Sequence, residues 1–340
     1  MKRNYSIDFF RIFFTCLICM HHFQDVFNIS IIKSGYIAVE FFFILSGFLL
    51  YKSLQRNPEE SAVKYTIKKL RRLYPEYLLA FSTCFILNLL QKNEGWVDYI
   101  FKAVQEITLT QNIGIFKGSF NYPLWYLSVL IFGGYWLYAL LKKNKKDTIH
   151  ILLPAIIIFT YSILLKEGKG LENWDTIDGL YIPLLRGIAD MSIGILLANA
   201  VNSEYWEKIK VYRKELYIIE IISYILLGTL IILETKYEMT CIIFISMLIG
   251  ATQIENSLTN KLFNRRIFGN IASLTYSMYL NHASILILVS WLYRRGLTDK
   301  KIIIIIYFAT LIVLSKISKE IIKIIYKLKD NKRTLSMEEK

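Results

Sequence analysis

Cysteine and proline are scarce in this sequence, whose 340 residues include four cysteines and five prolines. All four cysteines lie within long apolar stretches. Cys16 and Cys19 have the CxxC spacing of redox and zinc sites, but the interior of an apolar helix does not suit such a site. We therefore interpret the cysteines as thiols that fill space between packed helices, and the sequence predicts no metal site.

The sequence also lacks period-two alternation, internal repeats and low-complexity tracts. It has long apolar runs instead, with 54% hydrophobic residues and a mean hydropathy of +0.40. About 20 apolar residues in a helix cross a hydrocarbon core of roughly 30 Å, where the backbone must satisfy its own hydrogen bonds. The sequence predicts an all-α polytopic membrane protein, a single bundle of about ten transmembrane helices. They lie near residues 6–24, 35–53, 73–91, 122–142, 149–166, 182–201, 215–233, 239–256, 271–292 and 302–322.

Lysine and arginine are unevenly distributed among the predicted loops. If the N-terminus is cytoplasmic, the loops on that side carry roughly 25 Lys and Arg against roughly 11 on the other, as the positive-inside rule requires. We expect both termini in the cytoplasm, a transmembrane domain over residues 1–326 and a basic cytoplasmic tail over residues 327–340. The net charge of +14 follows from this topology and does not indicate nucleic-acid binding.

The first predicted helix carries a cation and a histidine pair in an apolar setting, since Arg11 to His22 reads RIFFTCLICMHH. Eleven residues in a helix make three turns plus about 20°, so Arg11 and His22 share one face about 16 Å apart. His21 points elsewhere. Asp8 can pair with Arg11 on the same face. His22 suits general-base chemistry because the unperturbed pKa of histidine is near 6.5. Alternatively, His22 has no catalytic role and only lies at the outer membrane–water interface.

Other polar residues inside predicted spans are also candidates for function. Glu40 lies at the outer end of the second span, where it could orient His22 or cap the helix. Arg186 and Asp190 are four residues apart, and could form an ion pair or contact a substrate. Tyr279 and His282 share a helix face, for hydrogen bonding or for substrate contact.

Several motifs, in order along nearly the whole chain, resemble the acyltransferase-3 family of integral membrane O-acyltransferases. The pattern of Asp8, Arg11 and His22 precedes YIAVEFFFILSGFLLYKS, which is similar to the family's G-V-D/E-x-F-F-x-L-S-G-F segment. KKLRRLYPEY resembles its basic R-x-x-R-x-x-P motif, LWYLSVLIFGGYWLY its Trp-x-Leu segment and LTYSMYLNHASI its S-Y-x-x-Y-L-x-H motif. Ala38 and Lys69 depart from the family's glycine and first arginine.

The resemblance implies a donor, acetyl-CoA or another acyl-CoA, on the cytoplasmic side. No cofactor is expected to stay bound. Coenzyme A is a polyanion, and NPEESAVKYTIKKLRRLYP provides a basic mouth, with a helix start at Asn57-Pro58 and a break at Pro75. An ordinary positive-inside loop is the alternative. The predicted coenzyme A contacts are Lys68, Lys69, Arg71 and Arg72.

The resemblance also implies a hydroxyl acceptor on an extracytoplasmic cell-surface polysaccharide or its lipid-linked precursor. The predicted catalytic residues are His22, Arg11 and Glu40. The predicted acceptor contacts are Trp125, Tyr126, Arg186, Tyr279 and His282; an interfacial aromatic belt is the alternative for Trp125 and Tyr126. Asp8, Ser46 and Gly47 are predicted to support the site structurally, Ser46 by a helix–helix hydrogen bond and Gly47 by close helix approach.

We therefore expect an acyltransferase in the plasma membrane whose partners are acyl-CoA, a carbohydrate acceptor, the lipid bilayer and separate glycan-synthesis proteins. Many relatives carry a fused esterase-like domain, whereas this chain stops after its tenth predicted span. A glycan transporter or flippase is one alternative, although inverted repeats and proline-broken helices are not apparent. A catalytically silent relative is another, because the chain lacks a glutamate that many members carry after the Trp-x-Leu-Ser stretch.

Overall fold

The computed structural model describes residues 3–91, 95–111, 119–168, 170–177, 180–233 and 235–338, with side chains as far as Leu328. The first helices are α1 Tyr5–Phe27, α2 Ala38–Arg56, α3 Ala62–Gln91, α4 Trp96–Ile107, α5 Trp125–Lys143, α6 Lys145–Asp147 and α7 Leu153–Glu167. The later ones are α8 Ile182–Val201, α9 Glu204–Ile209, α10 Arg213–Ile232, α11 Cys241–Ala251, α12 Leu258–Phe263, α13 Arg266–Ala272, α14 Thr275–Arg294 and α15 Lys300–Glu338. A two-stranded hairpin joins β1 Thr176–Ile177 to β2 Leu180–Tyr181.

Most of these helices are long and apolar enough to cross a membrane. Over the described ranges, eight helices meet this condition, and α13 with α14, bent by 42°, can form a ninth span. Rows of exposed apolar residues on their outer faces, such as Ile218, Ile221 and Ile225 of α10, suit contact with lipid. The protein is therefore an all-α polytopic membrane protein, as the sequence predicts.

The predicted span near 239–256 forms the short helix α11, which still passes from one end of the bundle to the other. Glu238, just before α11, accepts a hydrogen bond from Tyr36, just before α2. Gln253, just after α11, accepts one of 2.6 Å from Lys52 near the end of α2. Helix α11 and its flanking turns therefore run beside most of α2, but α11 is shorter than the eight helices that are long enough to cross a membrane, so the described ranges do not reach the ten spans that the sequence predicts.

The start of the chain and the middle of α15 lie at the same end of the bundle, which we call the basic end. Arg3, ahead of α1, donates a 2.8 Å hydrogen bond to the carbonyl of Gly269. Lys319, in the middle of α15, donates one of 3.3 Å to the carbonyl of Ser273. The two carbonyls are four residues apart at the junction of α13 and α14, which agrees with a prediction that puts both termini on one side of the membrane.

Helix α3 differs from its sequence-based prediction. The sequence suggests a helix start at Asn57-Pro58 and a break at Pro75, but α3 is one helix of 30 residues that contains Pro75. The Ser61 hydroxyl accepts a 3.2 Å hydrogen bond from the amide of Lys64, so Ser61 caps the helix. The basic residues before Pro75 therefore lie in a regular helix rather than in a loop, so their positions along the helix decide which face each occupies.

Helices α2 and α8 approach each other closely through glycine. A Cβ atom placed on Gly47 would lie 1.9 Å from the carbonyl oxygen of Met191, and one placed on Gly194 would lie 1.9 Å from that of Ile44. Small residues allow such backbone contact between membrane helices. This contact confirms the close approach that the sequence predicts at Gly47. It also fixes the position of α2, which forms part of the wall of the cavity described next.

Candidate active site

A cavity of about 620 Å³ opens near the basic end and follows one face of α1. The α1 residues in its wall are Ile7, Arg11, Thr15 and Ile18, which are spaced at three or four residues and therefore form one stripe. His22 continues the same stripe one turn beyond Ile18. Arg11 thus faces the cavity rather than lipid, and the path along its wall leads towards His22.

Four cations converge on this cavity. Arg11 comes from α1, Lys69 and Arg72 from α3, and Lys319 from α15. Lys319 was not among the sequence-based candidates because nothing in the sequence indicates that α15 returns beside α3. Four basic side chains around one opening favour the binding of a polyanion.

The other two predicted cations of α3 lie away from the cavity. Lys68 is exposed and its nearest carboxylate oxygen, on Glu60, is 3.8 Å away. Arg71 is also exposed, and its carbonyl accepts a 2.6 Å hydrogen bond from Tyr326. Lys68 and Arg71 belong to the outer face of α3, so only two of the four predicted coenzyme A contacts line the cavity.

Asp8 holds the entrance of the cavity in place. Its carboxylate lies 2.6 Å from Arg3 Nε and 3.5 Å from Arg11, and the Asp8 side chain is buried. The hydrogen bond to Asp8 raises the pKa of Arg3, so the contact favours the charged form of this arginine. The ion pair between Asp8 and Arg11 is the one that their spacing predicts.

Two tyrosines form the inner part of the cavity wall. The ring centroids of Tyr126 and Tyr279 are 5.9 Å apart in an edge-to-face arrangement. Tyr126 donates to the carbonyl of Phe42 at 3.1 Å and shares a 3.1 Å hydrogen bond with Ser46, so Ser46 does make the predicted bond between helices. Tyr279 donates to the carbonyl of Pro123. Both tyrosines therefore have fixed rings at the inner wall.

Beyond the tyrosines lies a group of stacked imidazoles. The ring of His22 stacks on that of His282 with centroids 5.2 Å apart, and Tyr122 contacts His22 edge-on at 5.0 Å. His282 is fully buried, and its Nδ1 lies 2.5 Å from the carbonyl oxygen of Tyr279. Its Nε2 has no hydrogen-bond partner within the described part of the chain. His22, with a side chain about one-fifth exposed, is the accessible member of the pair.

Acidic residues that the sequence analysis did not single out surround these histidines. Asp25 Oδ2 lies 3.8 Å from His22 Nδ1 and 3.5 Å from His21 Nε2. Glu172, from the loop after α7, places Oε1 3.8 Å from His21 Nε2. The spacing H-H-x-x-D could have indicated Asp25, because residues three and four apart meet on a helix. Glu172 carries no such signal.

Glu40 does not orient His22, contrary to the sequence-based expectation. Its carboxylate lies 3.2 Å from Nε of Arg186, and both side chains are buried. Arg186 was expected to pair with Asp190 or to bind a substrate, but Asp190 instead accepts a hydrogen bond from Tyr161. The pair of Glu40 and Arg186 joins α2 to α8 inside the bundle, because burial makes each charge require a partner.

Trp125 is also away from the cavity. It is only 4% exposed and its ring contacts that of Trp174 at 4.9 Å. The guanidinium of Arg186 lies 5.6 Å from the Trp125 ring centroid. The predicted acceptor contacts therefore separate into two groups: Tyr126 and Tyr279 line the cavity with His282 beyond them, whereas Trp125 and Arg186 belong to the packed interior.

The arrangement combines three chemical capacities along one path. Cations at the mouth can hold phosphates, and the apolar middle can hold a thin arm. The imidazole of His22, whose Nδ1 lies beside the carboxylate of Asp25, can accept a proton on Nε2. A cavity of this size is in the range of about 300–1,000 Å³ that is common for small-molecule sites.

Comparison with known proteins identifies one family. A family model described as an acyltransferase domain matches residues 4–317, nearly the whole chain. No curated protein and no solved structure matches the chain.

Proposed function

The chain belongs to the acyltransferase-3 family, and we propose that this membrane acyltransferase moves an acetyl group from cytoplasmic acetyl-CoA to a hydroxyl of a cell-surface polysaccharide or its lipid-linked precursor. The enzyme would lie in the plasma membrane, with the acceptor on its extracytoplasmic side. The observation that carries the proposal is the cavity with four cations at its mouth and His22 on the continuation of its wall.

Acetyl-CoA fits the charge and shape of the cavity. Its phosphates are polyanionic, so Lys69, Arg72 and Lys319 attract them to the basic end. The thin pantetheine arm then follows the α1 stripe past Arg11 and Thr15. This threading presents the thioester to the tyrosines and directs its carbonyl towards His22.

The transfer needs one base and no resident cofactor. The acceptor oxygen attacks the acyl carbon, and His22 Nε2 takes the hydroxyl proton. The carbon–sulfur bond breaks, and the proton passes from His22 to the departing coenzyme A thiolate. Asp25, beside His22 Nδ1, keeps the other imidazole proton on Nδ1 and so leaves the lone pair on Nε2. Asp25 takes the orienting role that the sequence analysis gave to Glu40.

The acceptor approaches from the end opposite the basic end, where His22 is partly exposed. His282 and Tyr122 contact the His22 ring on its face and edge, and they restrict how an acceptor hydroxyl can reach Nε2. A polysaccharide or its lipid-linked precursor arrives there from separate glycan-synthesis proteins.

The experiment uses the full-length protein in proteoliposomes with labelled acetyl-CoA and a surface-glycan fraction. Label should appear in the glycan as alkali-labile ester, and His22→Ala should lower kcat about 10²–10⁴-fold, since that is the usual contribution of a general base. The matched control is His150→Ala, because His150 is exposed on a different helical segment.

Two results would overturn the proposal. One is label transfer that is as fast in His22→Ala as in the wild type. The other is movement of glycan across the bilayer without acyl-CoA, which would identify a transporter.

A further inference from the structure

A second chemical feature lies at the end opposite the mouth of the cavity. One ring nitrogen each of His21 and His22 and a carboxylate oxygen of Asp25 all lie within 4.8 Å of one another. Asp25 Oδ2 is 3.5 Å from His21 Nε2 and 3.8 Å from His22 Nδ1. Glu172 adds a fourth oxygen 3.8 Å from His21 Nε2.

We propose that His21, His22, Asp25 and Glu172 form a site for a divalent zinc ion. Zinc prefers four ligands in a tetrahedron and takes imidazole nitrogens and carboxylate oxygens at about 2.0–2.2 Å. A tetrahedron with such bonds has edges of about 3.3–3.6 Å. The separations of 3.5 and 3.8 Å between Asp25 and the two imidazoles approach these edges. Glu172, 3.8 Å from His21 Nε2, lies outside the three-residue group and joins the site by a movement of its exposed side chain.

The two imidazoles are already held in place, which lowers the cost of binding. His21 packs against the backbone of Gly35, where a Cβ atom would lie 2.6 Å from His21 Cβ, and the edge of Tyr36. His22 is stacked on His282. The carboxylates are the adjustable ligands, because the side chains of Asp25 and Glu172 are more than half exposed. The ion therefore enters from the water at this end.

Zinc at this position would inhibit the proposed acyl transfer. The inhibitory role, unlike the metal site itself, rests on the proposed function. The ion occupies the lone pair of His22 Nδ1, so a neutral imidazole must carry its only proton on Nε2. An Nε2 that carries a proton cannot accept one from the acceptor hydroxyl. Zinc binding therefore switches the transferase off from outside the cytoplasm.

Binding is tested directly on the full-length protein in lipid nanodiscs after metal is removed with a chelator. Titration calorimetry with Zn²⁺ alone should give one saturable site per chain, and Co²⁺ should give the intense visible absorption of tetrahedral coordination. His21→Ala should weaken Zn²⁺ binding at least tenfold, roughly the smallest loss expected when a metal site is disturbed. His150→Ala, the matched control, should bind as the wild type does.

Equal affinity in the wild type, His21→Ala and Asp25→Asn would overturn the site, as would the absence of saturable binding. Since the His21→Ala chain could also misfold, Glu172→Gln provides an independent variant on an exposed side chain. It should keep the same thermal melt and still lose affinity about tenfold; unchanged affinity in a folded Glu172→Gln chain removes Glu172 from the ligand set and contradicts the four-ligand proposal.

The inhibitory role is measured separately. Zn²⁺ should inhibit acetyl transfer in the wild type, and Glu172→Gln should keep the uninhibited rate while about tenfold more Zn²⁺ is needed for half inhibition. A chain that binds Zn²⁺ but transfers no acetyl group retains the metal site and refutes the proposed function. A chain that transfers acetyl groups at the same rate with the site filled refutes the inhibitory role.

Discussion

Helix α3 carries two lysines next to each other and two arginines next to each other, and in each case only one of the two residues lines the cavity. Lys69 and Arg72 line the cavity, whereas Lys68 and Arg71 do not. The chain thus provides neighbouring residues of the same type that differ only in where the helix points them.

Arg72→Ala should raise the KM for acetyl-CoA about tenfold or more, because a charge-assisted hydrogen bond to phosphate contributes about 1.5–3 kcal/mol. Arg71→Ala on the same turn should change KM less than twofold. Initial rates at varied acetyl-CoA concentration check both variants. Equal effects at the two positions would mean that the cavity does not receive the phosphates.

The buried pair of Glu40 and Arg186 gives a prediction about stability. Arg186→Met should destabilise the protein by about 3–5 kcal/mol, because it leaves the carboxylate of Glu40 buried without its partner. The double variant Glu40→Gln with Arg186→Met should recover much of this loss. Thermal melts in nanodiscs check the order of the three chains.

An exposed ion pair serves as the control for this comparison. Lys323 and Glu320 form a contact on the surface of α15, and such pairs contribute at most about 1 kcal/mol. Lys323→Ala should therefore leave the melting temperature nearly unchanged. A double Glu40/Arg186 variant that melts lower than Arg186→Met alone would contradict the proposed cause.

At the scale of the helix, glycine sets how closely α2 and α8 pack. Gly47→Ala should lower the melting temperature and the yield of folded protein, since the new methyl group would meet the Met191 carbonyl at 1.9 Å. Gly228→Ala in α10 is the matched control, because no atom lies within 4 Å of the added group. We expect that variant to melt at or above the wild-type temperature. Equal losses at both positions would show that helix contact is not the reason.

The sequence predicts those features of the site that arise within a single helix, and it does not predict those that arise between helices. The shared face of Arg11 and His22, and the pairing of Asp8 with Arg11, follow from helical spacing alone. The pairing of Glu40 with Arg186 and the position of Lys319 at the cavity depend on which helices become neighbours. Apolar periodicity does not determine those neighbours, because lipid and protein interior favour the same apolar side chains.

At the scale of the whole molecule, the two ends of the bundle differ in charge. The basic end carries Arg3, Arg72 and Lys319, and the opposite end carries Asp25, Glu172 and Glu238 beside the histidines. The positive-inside rule orients the basic end towards the cytoplasm, where the proposed donor is.

Single exposed cysteines test this orientation in intact cells. A maleimide that cannot cross membranes should label Lys236→Cys, near Glu238, before permeabilisation. It should label Lys143→Cys, at the end of α5, only afterwards. Both positions are exposed, and the wild-type chain, with three of its four cysteines buried, gives the background. The reverse pattern of labelling would invert the topology.

The tyrosine pair between the cavity and His22 has a consequence for the cell as a whole. A water-filled shaft from the mouth to the histidines would let protons leak across the bilayer and discharge its voltage. The cavity's lining includes Tyr126 and Tyr279, whose rings meet edge to face, but it does not include His22. In the proposed mechanism, a thioester that passes between those rings would fill the gap that it opens, and the packed aromatic side chains would keep protons from crossing the bilayer beside it.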